Sequence, residues 1–324
     1  MAEALDRVGS LDQIARVDSF VDAEGMSRGA RRLRVITGGG LEYDIHPDRA
    51  LDLGAATLDG IPLAWISSTG IADSHFAEPQ GRGWLRTFGG GLLATCGLDT
   101  FGPDGEEEDG ALPMHGRIGA VPARVTRSEA TAGELTVAGT VRQTRVFGEN
   151  LVLNREISSA VGSTSITVRD TVTNEGATAS PHMVLYHVNV GWPLLDESVT
   201  VEIPAASVSP RDPDAAAGFD TRNDITPPVP GFREQVFVHD GGEGIARVTN
   251  PKLGIQFTLR YGVETLPAIF QWKMTSVGHY VLGLEPANTP EINGRAAARA
   301  SGRLPVLESR ESVSYQVSFE FGRI

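Results

Sequence analysis

The feature that most constrains this chain is a period-two alternation of apolar and polar residues, repeated in short runs broken by Gly, Pro, Asn and Asp from Arg31 onward. In residues 135–142, Leu135, Val137 and Val141 point one way while Thr136, Thr140 and Arg142 point the other. In 165–173, Ile166, Val168 and Val172 alternate with Thr167, Arg169, Thr171 and Thr173. A last run sets Val313, Tyr315, Val317, Phe319 and Phe321 on one face. Successive side chains leave a strand on opposite faces, so these runs read as half-buried β-strands. Asn174-Glu175-Gly176 supplies a turn into a further β run over 178–190. No long amphipathic helix, Gly-rich βαβ fingerprint or internal repeat is visible, and the expected fold class is all-β, a sandwich or barrel. Residues 1–24 read as a short helical segment or two, and 204–233, rich in Pro, Ala and Asp, as a long surface loop. All-β folds often run past about 200 residues undivided. One domain over 1–324 is therefore expected, with 1–30 as an N-terminal extension packed on it.

Charge and cysteine usage exclude whole classes of function. The formal net charge is −13 with no basic stripe, which argues against a nucleic-acid partner. No apolar stretch approaches the roughly 18 residues that cross a bilayer, and the N-terminus lacks a signal-peptide pattern, so no membrane association is expected. Cys96 is the single cysteine, which rules out an internal disulfide and fits a cytoplasmic location. Cys96 itself reads as a small buried hydrophobe. The acidic run Glu106-Glu107-Glu108-Asp109 reads as a solvated loop. Gly38-Gly39-Gly40 and Gly89-Gly90-Gly91 are followed by neither Lys-Ser/Thr nor a helical pattern, so tight β turns explain them better than phosphate loops.

Alternation also sorts polar side chains by face. Between Met183 and Val190, Tyr186, Val188 and Val190 form a core face, leaving His187 and Asn189 on the other with Met183 and Leu185. Between Tyr280 and Glu285, Tyr280, Leu282 and Leu284 form the core face, leaving Val281, Gly283 and Glu285 opposite. Pro286 is expected to end that strand, which would set the Glu285 carboxylate at a rim. His115 and Arg117 flank Gly116 and would leave one face together if that segment is extended. Taken singly, each has an ordinary explanation, a structural histidine or a strand-end charge; together they carry acid-base chemistry only if the three segments converge.

At these residues the chain resembles a known family. PMHGRIGAVPA (113–123), YHVNVGW (186–192) and LGLEPANTP (282–290) are similar to strings of the aldose 1-epimerases, the galactose-mutarotase-like proteins, most closely their poorly characterised bacterial branch. GGGLEYDIHPDRALDLG (38–54), PLAWISSTG (62–70), FGGGLLATCGL (88–98) and QWKM (271–274) extend the likeness, in order, to the C-terminus. The resemblance implies a β-supersandwich whose concave sheet holds a sugar. It implies that Glu285 takes the proton from the anomeric hydroxyl, that His187 gives one to the ring oxygen, and that His115 helps hold the sugar. The chain departs from mutarotases proper in placing Asn189 one residue beyond His187, where they have an aromatic pair before asparagine, and in lacking their asparagine-rich approach to the first histidine.

The chemistry follows from first principles. Opening a hemiacetal needs one proton removed from O1 and one delivered to the ring oxygen, and each such assistance contributes about 10²–10⁴-fold. Reclosure after rotation about C1–C2 gives the other anomer, so no metal or redox cofactor is required. Arg49, Arg86, Arg117, Asn189 and Lys273 are the further candidates for contacts to the sugar, and Trp65, Trp192 and Trp272 for stacking on it. Asp52 is expected to orient a neighbour or cap a turn. The expected partner is a monosaccharide or sugar derivative, and a homodimer is left open. Two alternatives stand beside anomer exchange. One is a metal-dependent epimerase or isomerase acting away from C1, with His115, His187, His279 and Glu285 as ligand types. The other is a non-catalytic carbohydrate-binding protein.

Overall fold

The structure, a computed structural model, describes residues 6–108 and 110–324. The first five residues of the expected N-terminal extension and Asp109 of the acidic run lie outside them. Two large antiparallel sheets dominate, one of eleven strands and one of eight. The alternating runs become the long strands Glu134–Thr144, Ser165–Asn174 and Ser312–Arg323, all in the eight-stranded sheet. Their apolar faces, with Leu135, Val137, Val168, Phe319 and Phe321 fully buried, pack against Leu33, Tyr43, Leu53, Tyr186, Val188 and Leu284 of the larger sheet in one continuous apolar core.

The middle of the larger sheet runs in the spatial order Asp52–Leu58, Leu93–Cys96, Leu185–Gly191, His279–Ala287, Ala268–Ser276 and Gln235–Gly242. One face of these strands is committed to the core between the sheets. The other carries a separate, smaller apolar cluster that includes Cys96, Phe101, Met183, Leu185, Val236 and Phe270. That second face positions the candidate site. No helix among the described residues is long and apolar enough to cross a membrane.

Four local expectations are corrected. The N-terminal region holds a six-residue strand, Arg16–Val21, paired with Arg31–Ile36, beside only single 3₁₀ turns. The run over 178–190 is interrupted: Ser180–Pro181 pairs with Val306–Leu307, and the sheet is rejoined only at Leu185. The stretch 204–233 contains an edge strand, Ala205–Pro210, and a short helix, Pro213–Ala217. Asp212 caps that helix by accepting from Ala215 N at 2.9 Å, with proline at the first position, a sequence signal for helix entry. Finally, Glu106 and Glu107 belong to a hairpin, Gly105–Glu107 with Gly110–Leu112, and Glu107 accepts from Arg295 at 2.9 Å.

Candidate active site

The register of the larger sheet lines up four residues across neighbouring strands. Ala94 pairs with His187, the pairings Val188 to Leu284 and Leu185 to Ala287 set His187 opposite Glu285, and Glu285 pairs with Phe270. His187 Nε2 and Glu285 Oε1 approach to 3.2 Å, with both side chains almost wholly buried. The facing derived from alternation therefore holds at both residues. The expected rim position of Glu285 does not: the strand runs on to Ala287, because its neighbours Ala268–Ser276 and Leu185–Gly191 continue to flank it past Pro286.

The space for the carboxylate comes from Gly283, two residues earlier on the same face. A Cβ at Gly283 would lie 2.5 Å from Glu285 Oε1 and 2.9 Å from Trp272 Cβ. Trp272 is the cross-strand partner of Gly283 and lies over it. His115 reaches the same place from a turn. His115 and Gly116 both have positive φ (57° and 74°), and a Cβ at Gly116 would sit 2.2 Å from Gly97 O, so glycine is required there. The expected extended geometry of 115–117 is thus replaced by a turn, which sends His115 inward while Arg117 donates to Ala111 O at 2.8 Å.

His115, His187 and Glu285 line one cavity of about 650 Å³. Its walls are aromatic. Trp84 stacks on Phe88 at 4.0 Å between centroids and meets His115 at 4.5 Å; Trp272 meets His187 edge-on at 5.3 Å and Trp65 at 5.9 Å. Polar side chains from the 204–233 region and its flank complete it: Glu234 accepts from Trp272 Nε1 at 3.0 Å and from Arg211 at 3.0 Å. Three buried polar atoms of this site, Glu285 Oε1, His187 Nδ1 and His115 Nδ1, have no hydrogen-bond partner among the described residues. Native interiors seldom leave such atoms unpaired, and groups meant to meet a ligand are one reason to do so.

Burial governs their protonation. Desolvation, with a smaller contribution from the nearby Glu234 charge, pushes Glu285 up to about 8 against the partial offset of Arg211. Desolvation and the neighbouring His115 hold His187 well below the ordinary imidazole range, and burial brings His115 down to about 4. Near neutrality the pair therefore carries one proton, on Glu285.

A family model described as a domain of unknown function, DUF4432, matches residues 27–321. The chain belongs to the DUF4432 family. No curated protein sequence matches this DUF4432 chain. Among solved structures, a candidate aldose 1-epimerase from Klebsiella pneumoniae superposes with a TM-score of 0.87 at 23% identity, covering 94% of this chain and 83% of its own. A galactose mutarotase-like protein from Clostridium acetobutylicum gives 0.69 at 13% identity over 96% of this chain and 100% of its own. Galactose 1-epimerase from Lactobacillus acidophilus gives 0.63 at 11% identity over 95% of this chain and 99% of its own. The DUF4432 chain thus has the galactose-mutarotase-like β-sandwich fold.

The other expected contact residues do not line the cavity. Lys273 follows Trp272 in the strand and so faces the opposite side of the sheet, where its ammonium donates to Thr221 O at 2.9 Å. Asn189 is buried, donating to the carbonyls of Gly91 and His187, and steadies the strand rather than opening to the cavity. Arg86 is exposed beside Glu78, and Trp192 is exposed as well. Arg49 donates to Thr87 O and borders a separate cavity of about 20 Å³ behind Phe88. Asp52 accepts from Thr95 and from Arg155 between the sheets. His279 lines the cavity at an exposed position, and no group of three or more metal-ligating side chains is assembled among the described residues. Sequence reasoning missed Trp84, Phe88, Arg82, Asp104, Arg211 and Glu234, all lining residues. The available signal was the apolar pair Trp84 and Phe88 entering the Gly89–Gly91 turn; Arg211 lies within, and Glu234 just beyond, the stretch 204–233 read as a long surface loop.

Proposed function

We propose that this protein is an aldose 1-epimerase that interconverts the anomers of a reducing sugar, with Glu285 and His187 as the acid-base pair and His115 holding the sugar. The observation that carries this is the 3.2 Å approach of His187 Nε2 to Glu285 Oε1 on the floor of a cavity walled by Trp65, Trp84, Phe88 and Trp272. Aromatic faces suit the apolar faces of a pyranose. The structural neighbours, a candidate aldose 1-epimerase and a galactose 1-epimerase, support the same chemistry on the same fold.

O1 and the ring oxygen of a hemiacetal are bonded to one carbon, so two side chains in contact can address both. In ring opening the Glu285 carboxylate accepts the O1 proton while protonated His187 gives its proton to the ring oxygen. In closing, each step reverses: Glu285 returns a proton to the carbonyl oxygen and His187 takes one from the C5 hydroxyl. Both half-reactions use a pair that shares a single proton. The resting arrangement, with that proton on Glu285, is the one required for closing; opening requires the proton on His187 instead.

Exchange between the two anomeric proton signals, followed by NMR over a panel of aldoses, tests this. Glu285→Gln and His187→Asn should each lower exchange by about 10²-fold or more, the size of general acid or base assistance, with sugar binding retained. His115→Ala should weaken binding more than it slows the chemical step. The rate should hold below pH 8 and fall above it, as the pair loses its shared proton. Sugar binding with no exchange above the buffer rate would leave a carbohydrate-binding protein, and chelator-sensitive exchange would favour a metal-dependent isomerase.

A further inference from the structure

The cavity is graded by depth. His187, Glu285, Phe88 and Val236 at its floor are buried, whereas Ser68, Arg82, Asp104, Glu234 and Asn293 at its mouth are exposed. Its 650 Å³ lies well inside the range of roughly 300–1,000 Å³ that accommodates drug-sized ligands. That is more room than one pyranose ring seated against Glu285 and His187 would fill. The chemistry of the mouth differs from that of the floor. Arg82 and Asp104 line it, and neither side chain has a hydrogen-bond or ion-pair partner among the described residues. Their segments meet at the 114–115 turn, where Met114 N donates to Gly81 O and His115 N to Gly102 O, and a Cβ on Gly81 would lie 3.7 Å from Asp104 Oδ2.

Charge at the mouth is mixed. Arg82 and Asp104 both line it, and Arg211 is already held by Glu234 and Asp212. An anionic ligand group would find as many carboxylates as guanidinium groups there. A neutral polyol is better matched: hydroxyls donate to carboxylates and accept from guanidinium groups at once.

We propose that the site takes a neutral reducing-end disaccharide, or a sugar extended to the same degree, with its reducing ring at Glu285 and His187 and its second ring between Arg82 and Asp104. This rests on the turnover of a reducing sugar proposed above and adds an outer subsite to it. Extension points away from C1, because the anomeric carbon occupies the floor.

The test compares anomer exchange of maltose, cellobiose and lactose with that of glucose and galactose by NMR. At least one disaccharide should show kcat/KM about tenfold above its parent monosaccharide, the effect of one or two hydrogen bonds to charged side chains. Arg82→Ala and Asp104→Ala should each lower the disaccharide-to-monosaccharide ratio severalfold; both residues are exposed and unpaired, so the variants should fold. Monosaccharides turned over as fast as all three disaccharides, or variants that lower both classes in parallel, would overturn the outer subsite. Should no sugar be turned over, the anomer-exchange proposal fails, and calorimetry with the same sugars still reads the subsite. A disaccharide bound about tenfold tighter than its monosaccharide upholds it, and equal affinities sink it.

Discussion

Glu285 owes its chemistry to a side chain buried on the floor of a cavity, where its contact, His187, is itself kept from protonating by burial. Its raised pKa has a consequence for stability whose sign can be worked out. Between the unfolded value of about 4.5 and the folded value of about 8, the native state holds a proton that the unfolded state releases, so Glu285 makes stability fall as pH rises. His115 and His187 act oppositely, as do the buried His46, His182 and His239: their folded values lie below 6.5, so they make stability rise with pH, an effect that fades over about one pH unit above 6.5. The window from about pH 7.5 to 8 therefore separates Glu285 from these histidines. In it the melting temperature should decline, with a slope of at most about 1.4 kcal/mol per pH unit from this one group, and Glu285→Gln should remove that decline. A slope unchanged in the variant would show that Glu285 ionises normally. Gly283 offers an independent probe. Gly283→Ala inserts a methyl against the carboxylate and Trp272, so it should lower exchange at least tenfold, while its effect on folding stays within the 1–3 kcal/mol of ordinary overpacking.

At the scale of strands, facing was legible where apolar residues kept strict register. Tyr186, Val188 and Val190 against His187, and Leu282 and Leu284 against Glu285, were assigned to the correct faces from period two alone. The same rule, applied to QWKM, separates Trp272 from Lys273, since neighbours in a strand cannot share a face. Side-chain chemistry suggested both, and only one lines the cavity. Turns were less legible, because the conformation of 113–117 is set by the close approach of Gly116 to Gly97, a contact with no local signal. The edge strand and helix in 204–233 were hidden by prolines and alanines, although Asp212-Pro213 marks a helix start. Lys273 supplies the prediction at this scale. Its ammonium is buried, its pKa is lowered by desolvation, and it donates to Thr221 O. Lys273→Met fills the same volume without the desolvation cost, so stability should be equal or higher and anomer exchange unchanged. A large loss of exchange with folding intact would return Lys273 to the site.

The whole molecule is two sheets that must hold their relative position for the cavity floor to stay assembled, and a buried ion cluster ties them together. Arg155, with its side chain wholly buried, donates to both oxygens of Asp170 at 2.9 and 2.7 Å and to Asp52 at 3.1 Å. Asp170 belongs to the smaller sheet and Asp52 to the larger, and Tyr186 OH of the larger sheet also donates to Asp170 at 2.7 Å. Tyr186 adjoins His187 in sequence, and Thr95, which donates to Asp52, adjoins Ala94 on the neighbouring strand. This cluster left a trace in the pattern: Asp170 falls in phase with Ile166, Val168 and Val172, and Arg155 in phase with Leu151, Leu153 and Ile157. A charge at a core-phase position marks a polar cluster between sheets, but its partners are distant in sequence and alternation cannot name them. Arg155→Leu would leave two buried carboxylates without their cation, and urea unfolding should show a loss of about 3–5 kcal/mol. Adding Asp52→Asn and Asp170→Asn to Arg155→Leu removes the charges left behind and should recover much of that loss, since the penalty comes from unpaired buried charge more than from the missing attraction. A loss under about 1 kcal/mol in Arg155→Leu, beneath the usual cost of breaking a buried pair, would mean that apolar packing alone fixes the two sheets.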